Sequence, residues 1–127
     1  MPKACPTHMT VGEIIEKLRE IAPETPIRFD FFSNAIPLNC FNSYRGYYED
    51  LAISWGTVTK SYPRVQEVLS WFESVPGNMY CGWKGGEFYM FDDTHVWVAE
   101  DGHASGFAVT GIVLKGSVAI IQTTYIE

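Results

Sequence analysis

The chain has 127 residues, 46% hydrophobic and 19% charged, with a formal net charge of −6. That length and composition suit one domain, residues 1–127, with a single core, and they exclude a disordered chain. Nine Lys and Arg residues face fifteen Asp and Glu and form no run, which excludes a nucleic-acid polymer as partner, because such binding needs a row of cations to displace counterions.

A small anion needs only two or three placed donors and stays compatible with this charge. Cys5, Cys40 and Cys81 are far apart and odd in number, favouring neither a disulfide framework nor a zinc knuckle. The opening MPKACPTHMT lacks the apolar run of a signal peptide. No stretch nears the ~20 apolar residues of a membrane span. The expectation is a reducing cytoplasm, without a membrane partner.

The first element begins at Thr10, which has capping-box spacing to Glu13. Val11, Ile14, Ile15 and Leu18 follow at i, i+3, i+4, i+7, so the spacing predicts a helix over 11–22, stopped by Pro23 and Pro26. Glu13 and Lys17 are placed to pair along its exposed face. Residues 27–31 alternate strictly and predict a strand with Ile27, Phe29 and Phe31 inward. Asn, Ser and Pro make 33–43 read as a loop. A second strand is predicted over 47–55, antiparallel to the first, with Leu51, Ile53 and Trp55 on one face and Asp50 and Ala52 on the other.

Pro63 is suited to open a second helix, carried by Val65, Val68, Leu69 and Phe72 and closed by Pro76-Gly77. Strands are then expected over 87–91, 95–99, 106–113 and 117–125, separated by the turn chemistry of Asp92-Asp93-Thr94 and Asp101-Gly102-His103. This order predicts an α+β fold: an antiparallel sheet with two helices packed on one face. The last strand is apolar on both faces over 118–121. Read as an edge that must be covered, it predicts a homo-oligomer.

Two clusters carry candidate chemistry. In Tyr44-Arg45-Gly46-Tyr47-Tyr48, Arg45 offers a planar fork for phosphate oxygens, and Tyr44 and Tyr47 offer stacking faces. An ordinary turn, with Arg45 paired to Glu49 or Asp50, fits the same residue types equally well. In Tyr80-Cys81-Gly82-Trp83-Lys84-Gly85-Gly86-Glu87, Trp83 could lie on a base and Lys84 could meet a phosphate. The spacing is not a P-loop, and a hairpin turning at Gly85-Gly86 accounts for the glycines more simply. The histidines His8, His95 and His103 show no metal-ligand spacing, and no Ser or Cys has a nucleophile elbow. No cofactor or metal is expected. An acid–base role for His95 or His103 is unsupported but stays open.

The segments TVGEIIEKL, SYRGYYEDLAI, GWKGGEFYM and VWVAEDGHASGFAVTGI together resemble small bacteriophage proteins over about 9–112. The size and make-up are similar to the Thoeris anti-defence sponges. That resemblance implies an oligomeric protein that holds a cyclic ADP-ribose isomer without cleaving it. It implies Arg45 and Lys84 on the diphosphate, Trp83, Tyr44 or Tyr47 on the base, and Asp92 or Asp93 accepting from the adenine amine. The C-terminal third has Lys115 as its only cation, so a second arginine must come from Arg28 or from another subunit. The expected partner is a small anionic nucleotide. An enzyme that degrades such a signal, and a module that docks on a host protein, are the alternatives.

Overall fold

The apolar faces of the two expected helices fold against one sheet. A computed structural model describes residues 8–32, 34–44, 47–57, 61–81, 86–100 and 103–125, with backbone alone at 40, 43–44, 47–49, 81, 100 and 103–105. Helix α1 spans Val11–Arg19 and buries Val11, Ile14, Ile15 and Leu18. Both halves of its capping box form: the Glu13 amide donates to Thr10 Oγ1 at 3.3 Å, and the Thr10 amide to Glu13 Oε1 at 2.9 Å. With the Glu13 carboxylate held there, Lys17 pairs instead with Glu20, at 3.8 Å. The helix ends three residues before the expected Ala22. The amides of Glu20 and Ile21 turn back to the carbonyls of Lys17 and Leu18, a tightened last turn ahead of Pro23.

Helix α2 spans Val65–Glu73 and buries Val65, Val68 and Phe72. Its first amides are satisfied by the segment that ends α1: Val65 donates to the Thr25 carbonyl and Gln66 to that of Pro23. Glu67 Oε1 accepts from the Arg64 amide at 2.8 Å. An exposed Arg19–Glu73 ion pair at 3.0 Å links the helices, a contact that adds at most about 1 kcal/mol.

Eight strands follow the chain: β1 (Ile27–Phe29), β2 (Ala35–Tyr44), β3 (Tyr47–Thr57), β4 (Met79–Cys81), β5 (Glu87–Tyr89), β6 (Val96–Glu100), β7 (His103–Lys115) and β8 (Val118–Tyr125). Six form one sheet in the order β1-β8-β7-β6-β3-β2, and β4 and β5 form an antiparallel ribbon. The main sheet is mostly antiparallel, but β1 pairs parallel with β8 and β3 parallel with β6. The fold is therefore α+β, with a mixed sheet and two packed helices. One core joins Ile14, Leu18, Phe29, Leu51, Ile53, Val68 and Phe72. The opposite sheet face buries the smaller set Ala52, Trp97 and Ala108. No described helix is long and apolar enough to cross a membrane.

Three expectations are corrected. Residues 35–43, expected within a loop, belong to β2; as the outermost strand it tolerates Pro37, whose missing N–H costs an interior ladder bond but none at an edge. The strands around 27–31 and 47–55 do not pair, since β3 lies between β2 and β6. Strand β8 is not an edge. It sits between β1 and β7, with Ala119 and Ile121 in the core and Ile120 buried as well. Its two-sided apolar pattern is that of an interior strand, so it no longer argues for an oligomer. The turn from β7 to β8 holds Gly116 at φ 61°, the left-handed conformation that a two-residue hairpin loop demands.

The turn at 92–94 closes on the start of α1: Val11 donates to the Thr94 carbonyl and Gly12 to the Asp92 carbonyl, both at 2.8 Å. A Cβ on Gly12 would meet the Cβ and carbonyl oxygen of Asp92 at 3.2 Å. Those atoms cannot withdraw without stretching the bonds that cap the helix. Gly12→Val is expected to destabilise the protein by about 1–3 kcal/mol through overpacking, read as a lower urea midpoint. Gly12→Ala should fail to give the gain of about 1 kcal/mol that helix propensity alone predicts.

Candidate functional site

Residues 87–95 form one wall of a polar concavity. Phe88 packs against the core and Met90 is fully buried. Alternation then turns Glu87, Tyr89 and Phe91 to the other side, where all three are exposed. Tyr89 and Phe91 keep 56% and 52% of their surface, unusual for large rings, and Asp93 continues the exposed row. Two carboxylates and two rings are thus exposed within seven residues. With Asp50, Phe88, Thr94 and His95 these side chains line an open cleft of about 450 Å³, within the size range of small-ligand sites.

The wall is fixed from behind. The Met90 amide donates to the Asn78 carbonyl at 3.0 Å, and the Met90 carbonyl accepts from Gly77 at 2.7 Å. Thr94 is buried, and its Oγ1 accepts from the Phe91 amide at 2.8 Å. Across the cleft, Asp50 Oδ2 accepts from Trp97 Nε1 at 2.8 Å, which holds that carboxylate in place. Neither Glu87 nor Asp93 forms a salt bridge with a described residue.

No protein-family model, curated protein or solved structure matches the chain.

Of the residues singled out from the sequence, Asp93 lines the cleft. Asp92 is exposed beside it, but it is not among the lining residues, and its carbonyl belongs to the cap of α1. Arg28 lies on β1, with β8, β7 and β6 between it and β3, and its Nη1 donates to the Phe29 carbonyl at 2.9 Å. Tyr44 and Tyr47 end β2 and begin β3, facing each other in register; their side chains lie outside the described residues. Arg45, Trp83 and Lys84 lie outside them altogether. The strands that carry both clusters do reach the cleft. Asp50 is on β3, which follows Arg45-Gly46, and Glu87 begins β5, which follows 82–86. Strands β4 and β5 pair antiparallel, Cys81 with Glu87, as the hairpin account of that glycine-rich segment requires.

Sequence reasoning did not single out Glu87, Tyr89, Phe91 or Asp50 as ligand residues, and it raised His95 only as an acid–base alternative. The signal lay in the stretch EFYMFDD, where Phe88 and Met90 alternate with Tyr89 and Phe91. Both sets are apolar, so the outward ring pair read as ordinary strand content.

His8 borders this region. Its Nε2–H donates to the Val96 carbonyl at 3.0 Å, and its ring meets those of His95 and Trp97, each at 4.7 Å. Burial lowers its pKa below the usual 6.5, as does His95 more weakly; the Val96 carbonyl, Asp50 and Glu13 oppose the shift. Between the lowered value and 6.5 the unfolded chain binds more protons than the folded one, so stability rises with pH there. The neutral ring's contribution is complete above 6.5 and is lost as pH falls through the lowered pKa. Thermal scans from pH 7 to 5 should therefore show a falling Tm, with a shallower fall in His8→Gln.

Proposed function

We propose that this protein binds and sequesters a small nucleotide-derived immune signal, a cyclic ADP-ribose isomer or a cyclic oligonucleotide, without cleaving it. It would act as a bacteriophage anti-defence protein in the host cytoplasm. The observation that carries the reading is the cleft itself, lined by the exposed rings Tyr89 and Phe91 together with Asp50 of β3 and Glu87 of β5. A flat base stacks on Tyr89 and Phe91 while Asp93 accepts from its amino group, and phosphates fall to Arg45 and Lys84. Sequestration needs affinity without transition-state complementarity, so it requires no placed base or nucleophile. Each base–ring stack is worth about 1–3 kcal/mol, whereas micromolar binding takes about 8. Charge-assisted hydrogen bonds from the cations must supply the difference.

Isothermal titration with cyclic ADP-ribose isomers and cyclic dinucleotides tests this directly. The expected result is saturable heat with at least one of them, and recovery of intact ligand on heating. An absence of heat with every nucleotide contradicts it. Arg45→Glu should abolish the heat while leaving the fold intact; a variant that fails to fold would make Arg45 a structural ion-pair partner.

One observation favours a second reading. His95 lines the same cleft as Asp50 and Asp93, so an acid–base role in degrading the signal has a location. Chromatography after incubation separates the two: unchanged ligand means a sponge, a new product an enzyme.

A further inference from the structure

We infer that the cleft takes a planar organic cation: the part of the ligand that enters it carries positive charge on a flat ring. The inference rests on the cleft being a ligand site, as above, but not on the ligand bearing phosphate.

The lining contains the carboxylates Asp50, Glu87 and Asp93 and, among the described residues, no Lys or Arg. With His95 neutral its formal charge is −3. An anionic group placed there meets three carboxylates and, among the described lining residues, no Lys or Arg, so the lining favours cations over phosphates. Charge alone would make this a site for any cation. The rings narrow the choice: Tyr89 and Phe91 both line the cleft, each more than half exposed, and aromatic faces attract a positive charge while stacking on a flat group. The carboxylates Glu87 and Asp93, which line the same cleft, then select a charged ring over a neutral one of the same shape. The wall needs no rearrangement to receive it, because Met90 and Thr94 hold the row from behind. The ring pair also disfavours a bare metal ion or a compact ammonium, which would leave most of both faces uncovered.

The test uses the full chain and two probes of nearly equal shape, 1-methylnicotinamide, a flat cation, and nicotinamide, its uncharged parent. Calorimetric or fluorescence titration at low salt is expected to show the cation bound about tenfold more tightly, a preference that weakens as salt is added. Asp93→Asn and Glu87→Gln should each shrink the preference, and Phe91→Ala should remove most of the binding, with circular dichroism confirming that the variants fold. Equal affinity for the two probes, or tighter binding of nicotinamide, overturns the inference, as does no binding of either at millimolar concentration. The outcomes separate this claim from the sequestration reading. Cation binding without any response to cyclic nucleotides sinks that reading and leaves this one standing; nucleotide binding with indifference to probe charge does the reverse.

Discussion

Phe29→Ala is expected to lower the free energy of unfolding by about 3–5 kcal/mol. Phe29 is fully buried on a strand of three residues, stacked on Phe31 with ring centroids 5.0 Å apart. It faces Ile14, Leu18, Phe72 and Ile121 around a void of only about 10 Å³. Removing the ring leaves a space that both helices and the sheet border, and none of these elements can close it alone. Domains of this size have roughly 5–15 kcal/mol of stability to lose, so the variant should be close to unfolding at growth temperature. Urea denaturation should show a lower midpoint at unchanged slope. Arg28→Ala, on the same strand but pointing away from the core, removes one exchangeable hydrogen bond and should cost about 1 kcal/mol or less.

The double variant Tyr89→Ala/Phe91→Ala should do the opposite, sparing the fold and destroying the site. Both rings are more than half exposed, so their loss removes little buried area. Loss of two stacking faces at about 1–3 kcal/mol each predicts a fall in affinity of about thirtyfold to more than ten-thousandfold. Titration calorimetry with the strongest-binding cyclic nucleotide reads the loss, and a thermal scan confirms the fold. Tyr125→Ala is the control: its ring is also exposed, at 58%, but it packs on Phe107 away from the cleft. A loss of affinity in the control equal to that in the double variant would show nonspecific ring binding.

The helices were legible because their signals are local. Thr10 and Glu13 are three residues apart, and Val11, Ile14, Ile15 and Leu18 define a face within two turns. The strands gave their faces but not their neighbours: alternation in 27–31 marks Ile27 and Phe29 as inward and is silent on whether the partner is β3 or β8. For 118–121, an apolar run on both faces fits a covered edge and an interior strand alike, and the parallel partner β1 made it interior. Strand β2 was hidden by Pro37, Asn39 and Asn42, residues that read as loop where the strand has no outer neighbour. Asp93, named with Asp92 only through the resemblance, lines the cleft. Arg28 was chosen for charge alone and lies across the sheet. Tyr89 and Phe91 were hidden because outward rings and inward rings look alike in the row of four apolar and aromatic residues from Phe88 to Phe91.

The central claim is that ligand enters the cleft walled by 87–95. Its most direct test is a two-dimensional amide NMR titration of the labelled full chain with cyclic ADP-ribose isomers and cyclic dinucleotides. Saturable shifts are expected, concentrated at Glu87, Tyr89, Phe91, Asp93, His95 and Asp50. Saturable shifts confined instead to the separate groove lined by Met9, Lys17, Thr110 and Gln122, with the 87–95 amides unmoved, would contradict it.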